Sequence, residues 1–133
     1  MADGDTRNAR AYIVREKTTD GTPTVVATWT VPNDSVVAVR FDVAGVGGVS
    51  GGSPADSGLI WSGTYVFVVN ESGVDTPVLK HAGDPTIAAD GTGWAIDVEY
   101  NAVTVTGETD ADIVWVGRVE VDIIEADISG LTG

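Results

Sequence analysis

The chain has 133 residues, a formal net charge of −13 and no cysteine. That length suits one domain, and 43% hydrophobic with 20% charged residues is too apolar for a disordered segment. The acidic excess argues against nucleic acid and anionic membranes as partners, and the missing cysteines remove disulfides, thiolate zinc sites and thiol catalysis. Residues 1–5 are polar and acidic, unlike a secretory signal, and no apolar run approaches the roughly 18 residues of a membrane span. Synthesis and assembly in a cytoplasm are therefore expected. The apolar set holds 22 Val and 8 Ile against 3 Leu, a β-branched bias that favours pleated sheet over helix.

Residues 1–10 read as a flexible polar N-terminal arm. A first strand is expected over 11–17, closed by the turn residues Asp20, Gly21 and Pro23. Over 24–31 the apolar residues alternate, which places Val25, Ala27, Trp29 and Val31 on one face of a half-buried strand. Asn33 and Asp34 mark a turn, after which Val37, Val39, Phe41 and Val43 share a face. Residues 44–58 are rich in Gly and Ser and read as a long loop. Trp61, Tyr65, Phe67 and Val69 then fall in register, and a short edge strand is expected over 76–80. Trp94, Ile96, Val98 and Tyr100 alternate with polar residues, and Asn101-Ala102 is a candidate tight turn into Val103 and Val105. A long last strand is expected over 113–124, with residues 125–133 as a polar tail. Eight or nine strands, turns about every ten residues and no helical period give an all-β antiparallel sandwich or jelly-roll-like domain over 11–124.

Candidate chemistry is sparse. His81 is the single histidine, and a Ser-His-Asp arrangement would have to be built on it; an exposed structural histidine is the simpler reading. The pairs Asp97/Glu99, Asp110/Asp112 and Glu120/Asp122 would each share one face of a strand, the geometry of an acid–base pair. Those same positions form the polar side of strands whose other side is apolar, which makes them a solvated face. Asp90, Asp110 and Asp112 lack the ligand spacing of a calcium loop, and no metal or other cofactor is expected. The run Gly45-Val46-Gly47-Gly48-Val49-Ser50 lacks the last glycine and the following helix of a dinucleotide loop. Asn33-Asp34-Ser35 and Asn70-Glu71-Ser72 match the glycosylation pattern but read as turns. Trp29, Trp94 and Trp115 lie on apolar faces and belong to the core. Trp61 follows the Gly-rich loop and is a candidate for an interface or sugar-binding surface.

Several segments together carry a resemblance. They are residues 18–24 (TTDGTPT), 29–37 (WTVPNDSVV), 93–98 (GWAIDV), 103–107 (VTVTG) and 113–121 (IVWVGRVEV). This pattern resembles a β-structured module of tailed-bacteriophage virion proteins, found in tail fibres and tail spikes and as capsid decoration (cement) proteins. The likeness extends over residues 16–124 and is a strand-and-turn pattern, so it transfers no functional residue. It departs from the usual pattern in a shorter hairpin after Trp94 and a more glycine-rich loop over 44–58, which leaves the partner's identity open. Because the pattern begins about fifteen residues after Met1, the resemblance implies a small protein on the outer capsid surface, not a fibre tip. It further implies a homotrimer bound to the major capsid protein and a non-enzymatic role. The candidate contact residues are Arg7, Arg10 and Arg15 near the start, Trp61, and Ile128 and Leu131 in the tail. A receptor- or glycan-binding module is the alternative.

Overall fold

A computed structural model describes residues 7–47, 57–69, 78–88 and 93–125. Among these residues nine strands run in chain order: β1 (Arg7–Thr18), β2 (Thr24–Thr28), β3 (Ser35–Gly47), β4 (Gly58–Val69), β5 (Leu79–Ala82), β6 (Thr86–Ala88), β7 (Ala95–Val98), β8 (Ala102–Thr106) and β9 (Ile113–Glu125). They form two antiparallel sheets packed as a sandwich. The larger follows the order β1-β9-β3-β4-β5, with β6 also on β4, and the smaller follows β2-β8-β7. β1, β3, β4 and β9 are 12 or 13 residues long, about twice the usual strand, and together make one broad surface.

Period-2 alternation fixes which side of each strand faces inward. Val37, Val39, Phe41 and Val43 of β3 are buried, as are Ile113, Trp115, Val119, Val121 and Ile123 of β9. Phe67 and Val69 of β4 join them, and from the small sheet come Ile96, Val98, Val103 and Val105. Fully burying one such side chain is worth roughly 1.5–3 kcal/mol, so a one-residue slip of any long strand would forfeit several of these at once. Trp29, Trp94 and Trp115 are all buried, as their faces predict. The Trp115 Nε1–H donates to Thr18 Oγ1 at 2.9 Å, and its ring meets Trp94 with centroids 6.0 Å apart.

Four sequence expectations shift. β1 begins at Arg7, so residues 7–10 of the expected arm are paired with β9 instead. β3 continues to Gly47, three residues into the expected loop, and residues 48–56 lie outside the described residues. The clean alternation from Val25 to Val31 breaks. A β-bulge at Val26 separates the Thr104 partner of Val25 from the Val103 partner of Ala27, turning Val25 outward at 55% exposure while Ala27 is buried. The β7–β8 hairpin turns one residue earlier than expected. The Glu99 N–H donates to the Ala102 carbonyl at 2.8 Å, leaving Tyr100 and Asn101 as the loop. Trp29 secures that loop, its indole N–H donating to the Tyr100 carbonyl at 2.8 Å and its backbone N–H to Asn101 at 3.1 Å.

Gly117 carries a positive φ of 155°, and a Cβ there would collide with the Asp42 carbonyl of neighbouring β3. Glycine is therefore what lets β9 and β3 close together midway along the large sheet.

Candidate functional site

Among the described residues, the small sheet covers one face of the large sheet and the other face is left open. Strand register places the outward residues of this open face in rows. At its centre Arg40 of β3 stands opposite Glu120 of β9, and Asp42 stands opposite Arg118. The four charges form a checkerboard in which each cation has an anion directly across on the neighbouring strand and another two residues along its own strand. Arg118 Nε also lies 3.0 Å from Glu120 Oε1 along its own strand. Thr64 and Ser62 extend these two rows onto β4. A shallow groove crosses the centre, lined by Ala9, Arg10, Ala11, Arg40, Arg118, Glu120, Val121 and Asp122.

Both ends of the open face are apolar. At one end Val36 of β3 sits between Ile124 of β9 and Val68 of β4. At the other, Ala44 sits between Val116 and Ile60, with Val46 one row further. These six large aliphatic side chains are 38–51% exposed. Single exposed apolar residues are ordinary, but a repeated apolar row on a flat sheet is the pattern of an interaction surface.

Charge is divided between the two sides of the sandwich. Arg15 and Lys17 of β1 register with Val116 and Val114 on the open face. With Arg40 and Arg118 they put four of the chain's seven Lys and Arg residues there. The outward side of the small sheet instead carries Asp97, Glu99, Thr104 and Val25. Lys17 also reaches Asp112 at 3.8 Å, an exposed pair worth at most about 1 kcal/mol.

The sequence-derived candidates scatter. Arg10 is exposed on β1, its Nε donating to Asn8 Oδ1 at 3.3 Å, and Arg15 is exposed five residues on. Arg7 begins β1 at the Ile124 register position. Trp61 is half-buried: its ring packs on Phe41 with centroids 4.7 Å apart, and its indole N–H donates to the Gly83 carbonyl at 2.6 Å. Ile128 and Leu131 lie outside the described residues, as do Asn70 to Ser72 and Asp90. His81 is exposed on β5 opposite Thr64. Asp97 and Glu99 point to solvent, Asp110 occupies a left-handed turn position at φ 61°, and Glu120 and Asp122 belong to the open face. Among the described residues no three His, Asp or Glu side chains group as a metal site, and no helix is long and apolar enough to cross a membrane.

Sequence reading did not pick out the Arg40/Asp42/Arg118/Glu120 quartet. Its members are far apart in the chain, and only the β3–β9 register brings them together. The usable signal was charge of both signs at the polar positions of an unbroken alternation, at Arg40 and Asp42 and again at Arg118 and Glu120.

Among the described residues, Tyr65 has a displaced ionisation. Burial pushes its phenol above the ordinary value of 10.0, and the nearby Asp97 charge adds to the effect.

No protein-family model and no curated protein matches the chain. Among solved structures it is similar to tailspike gp49 of Acinetobacter baumannii bacteriophage Fri1, a capsular polysaccharide depolymerase, at TM-score 0.38 and 14% identity over 90% of this chain and 17% of that one. It is also similar to the Acinetobacter phage vB_ApiP_P1 tailspike, at TM-score 0.40 and 15% identity over 87% of this chain and 21% of that one. A third is a disulfide-linked pilus protein of Bacillus endospore appendages, at TM-score 0.37 and 13% identity over 95% and 96% of the two chains. The chain thus spans about a fifth of the length of the tailspikes.

Proposed function

We propose that this protein is a structural module of a tailed-bacteriophage virion, a decoration protein that seats the open face of its large sheet on the outside of the head shell. The observation that carries the reading is that face itself: two apolar ends flank a centre of alternating charge, and the opposite side of the sandwich is acidic and rich in threonine. The strand-and-turn resemblance to virion β-modules supports it independently. Docked this way, the apolar rows leave water while each charge at the centre has an opposite charge in register on the neighbouring strand, which lowers the cost of burying it. The acidic small sheet then faces outward and keeps decorated particles apart.

Stabilisation of the shell follows from mass action. A protein that binds only the expanded lattice favours that lattice by about 2.7 kcal/mol per site at a hundred times its Kd. The role is one of binding, with the carboxylates of Asp97 and Glu99 serving as a solvated surface. Co-sedimentation with expanded shells of the source phage that lack this protein tests the reading. Wild-type protein is expected to pellet with the shells, and Ile60→Asp or Val116→Asp, each at an exposed position, to remain folded and stay in the supernatant. Wild-type protein that fails to pellet, or variants that pellet equally well, would overturn it. Adhesion of labelled protein to host cells, lost on Trp61→Ala, would move the assignment to a glycan-binding module.

A further inference from the structure

We infer that β1 is a self-pairing edge, through which two copies of this chain join their large sheets antiparallel about a two-fold axis at Ile13. Among the described residues β1 pairs with β9 alone, so its other edge offers a 12-residue run of backbone donors and acceptors. Proteins commonly blunt such an edge with charged side chains, with proline or with a bulge. β1 has neither proline nor bulge, and its charges are of both signs, with Arg7, Arg10, Arg15 and Lys17 against Glu16. At mid-strand Ile13 is 71% exposed, the most of any large apolar residue among those described.

The strand's own sequence selects the register. In an antiparallel pair, facing residues must share both the side-chain face and the direction of their hydrogen-bonding groups. A strand paired with its own copy can therefore centre only on a residue, never between two. Centring on Tyr12 would set Arg7 opposite Lys17, two like charges. Centring on Val14 would set Tyr12 opposite Glu16 and Ile13 opposite Arg15. Centring on Ile13 sets Arg10 opposite Glu16 twice, by symmetry, and Tyr12 opposite Val14. It also brings the exposed Ile13 side chain against its copy and keeps 11 residues paired, from Asn8 to Thr18. Opposite charges directly across a strand stabilise and like charges destabilise, so of these three registers this one alone faces opposite charges, with Arg15 and Lys17 set opposite Ala11 and Ala9.

The occupant is thus a second copy of the chain, and the symmetry is isologous. It differs from the threefold arrangement that the family resemblance implies. The pairing also sets two open faces side by side in one extended sheet, so that a particle surface would be engaged bivalently.

The absence of cysteine makes a direct test clean. Ile13→Cys under mild oxidation is expected to give a disulfide-linked dimer. The control is Ala9→Cys, which lies about 27 Å along the strand from its own copy and is expected to stay unlinked. Sedimentation equilibrium of the unmodified protein is expected to return twice the chain mass. Arg10→Glu and Glu16→Arg should each weaken dimerisation at least about tenfold, and the combined swap should restore it. A monomer at millimolar concentration, a trimer mass, equal cross-linking at Ala9 and Ile13, or a swap that fails to restore association would each overturn the pairing.

Discussion

Gly45 gives a sharp test of the core, because its sequence context and its structural setting predict opposite signs. In a Gly-rich loop, Gly→Ala would leave stability unchanged or raise it by about 0.4–1 kcal/mol through the unfolded chain. In the structure Gly45 is an inward position of β3, directly opposite Trp115 of β9. A Cβ there would stand 2.7, 2.8 and 3.0 Å from three atoms of the Trp115 benzo ring, against an ordinary carbon contact of roughly 3.5–4.0 Å. The indole would have to retreat by about 1 Å. It has little room, since its N–H is bonded to Thr18 and Trp94 packs beside it. Overpacking a tight core costs about 1–3 kcal/mol. Gly45→Ala is therefore expected to lower stability by about 3 kcal/mol, or the melting temperature by on the order of 10 °C for a domain of this size. Thermal unfolding followed by near-ultraviolet circular dichroism reads both the loss and the disturbed Trp94–Trp115 pair. Combining the change with Trp115→Phe should cost less than the sum of the two single changes. A melting temperature equal to or above that of the unmodified protein would refute the packing at this position.

Three further outcomes follow from the same core. Trp115→Phe removes the donor to Thr18 and should cost about 1–3 kcal/mol beyond the lost ring volume, and adding Thr18→Val should recover part of that in denaturant titrations. The buried Ser35 hydroxyl has no hydrogen-bond partner, so Ser35→Ala should hold or raise the unfolding midpoint, by up to about 2 kcal/mol. Tyr65 ionises above its unfolded value of 10.0 for reasons of burial and then the Asp97 charge. The folded state therefore binds more protons above that pH, and the stability it contributes is present below pH 10 and falls as pH rises further. Tyr65→Phe should flatten the alkaline decline of the melting temperature, and spectrophotometric titration of the unmodified protein should show one late-titrating tyrosine.

The sandwich was legible because its four long strands are read by a period of two. Val37 to Val43 and Val119 to Ile123 announce their buried face without any knowledge of partners. The Val26 bulge was hidden because it leaves the apolar pattern of 25–31 intact and changes only which residue each position opposes. Gly45 and Gly47 looked like loop because composition cannot separate a glycine that turns the chain from one that admits an indole. The open face was readable only in fragments. Arg40, Asp42, Arg118 and Glu120 each looked like the solvent side of a strand, and their meeting depends on a register that no local pattern states. The reverse holds for Trp61, whose place after the Gly-rich loop suggested a free surface aromatic while Phe41 and the Gly83 carbonyl hold it in place.

For the proposed role as a virion decoration protein, a cryo-electron microscopy map of the source particle tests most directly which face docks. The account predicts density for this domain on the outer shell, with Arg40, Arg118, Ile60 and Val116 toward the capsid lattice and Asp97 and Glu99 toward solvent. Density in which the small sheet meets the lattice, or a shell that carries none of this protein, would contradict it.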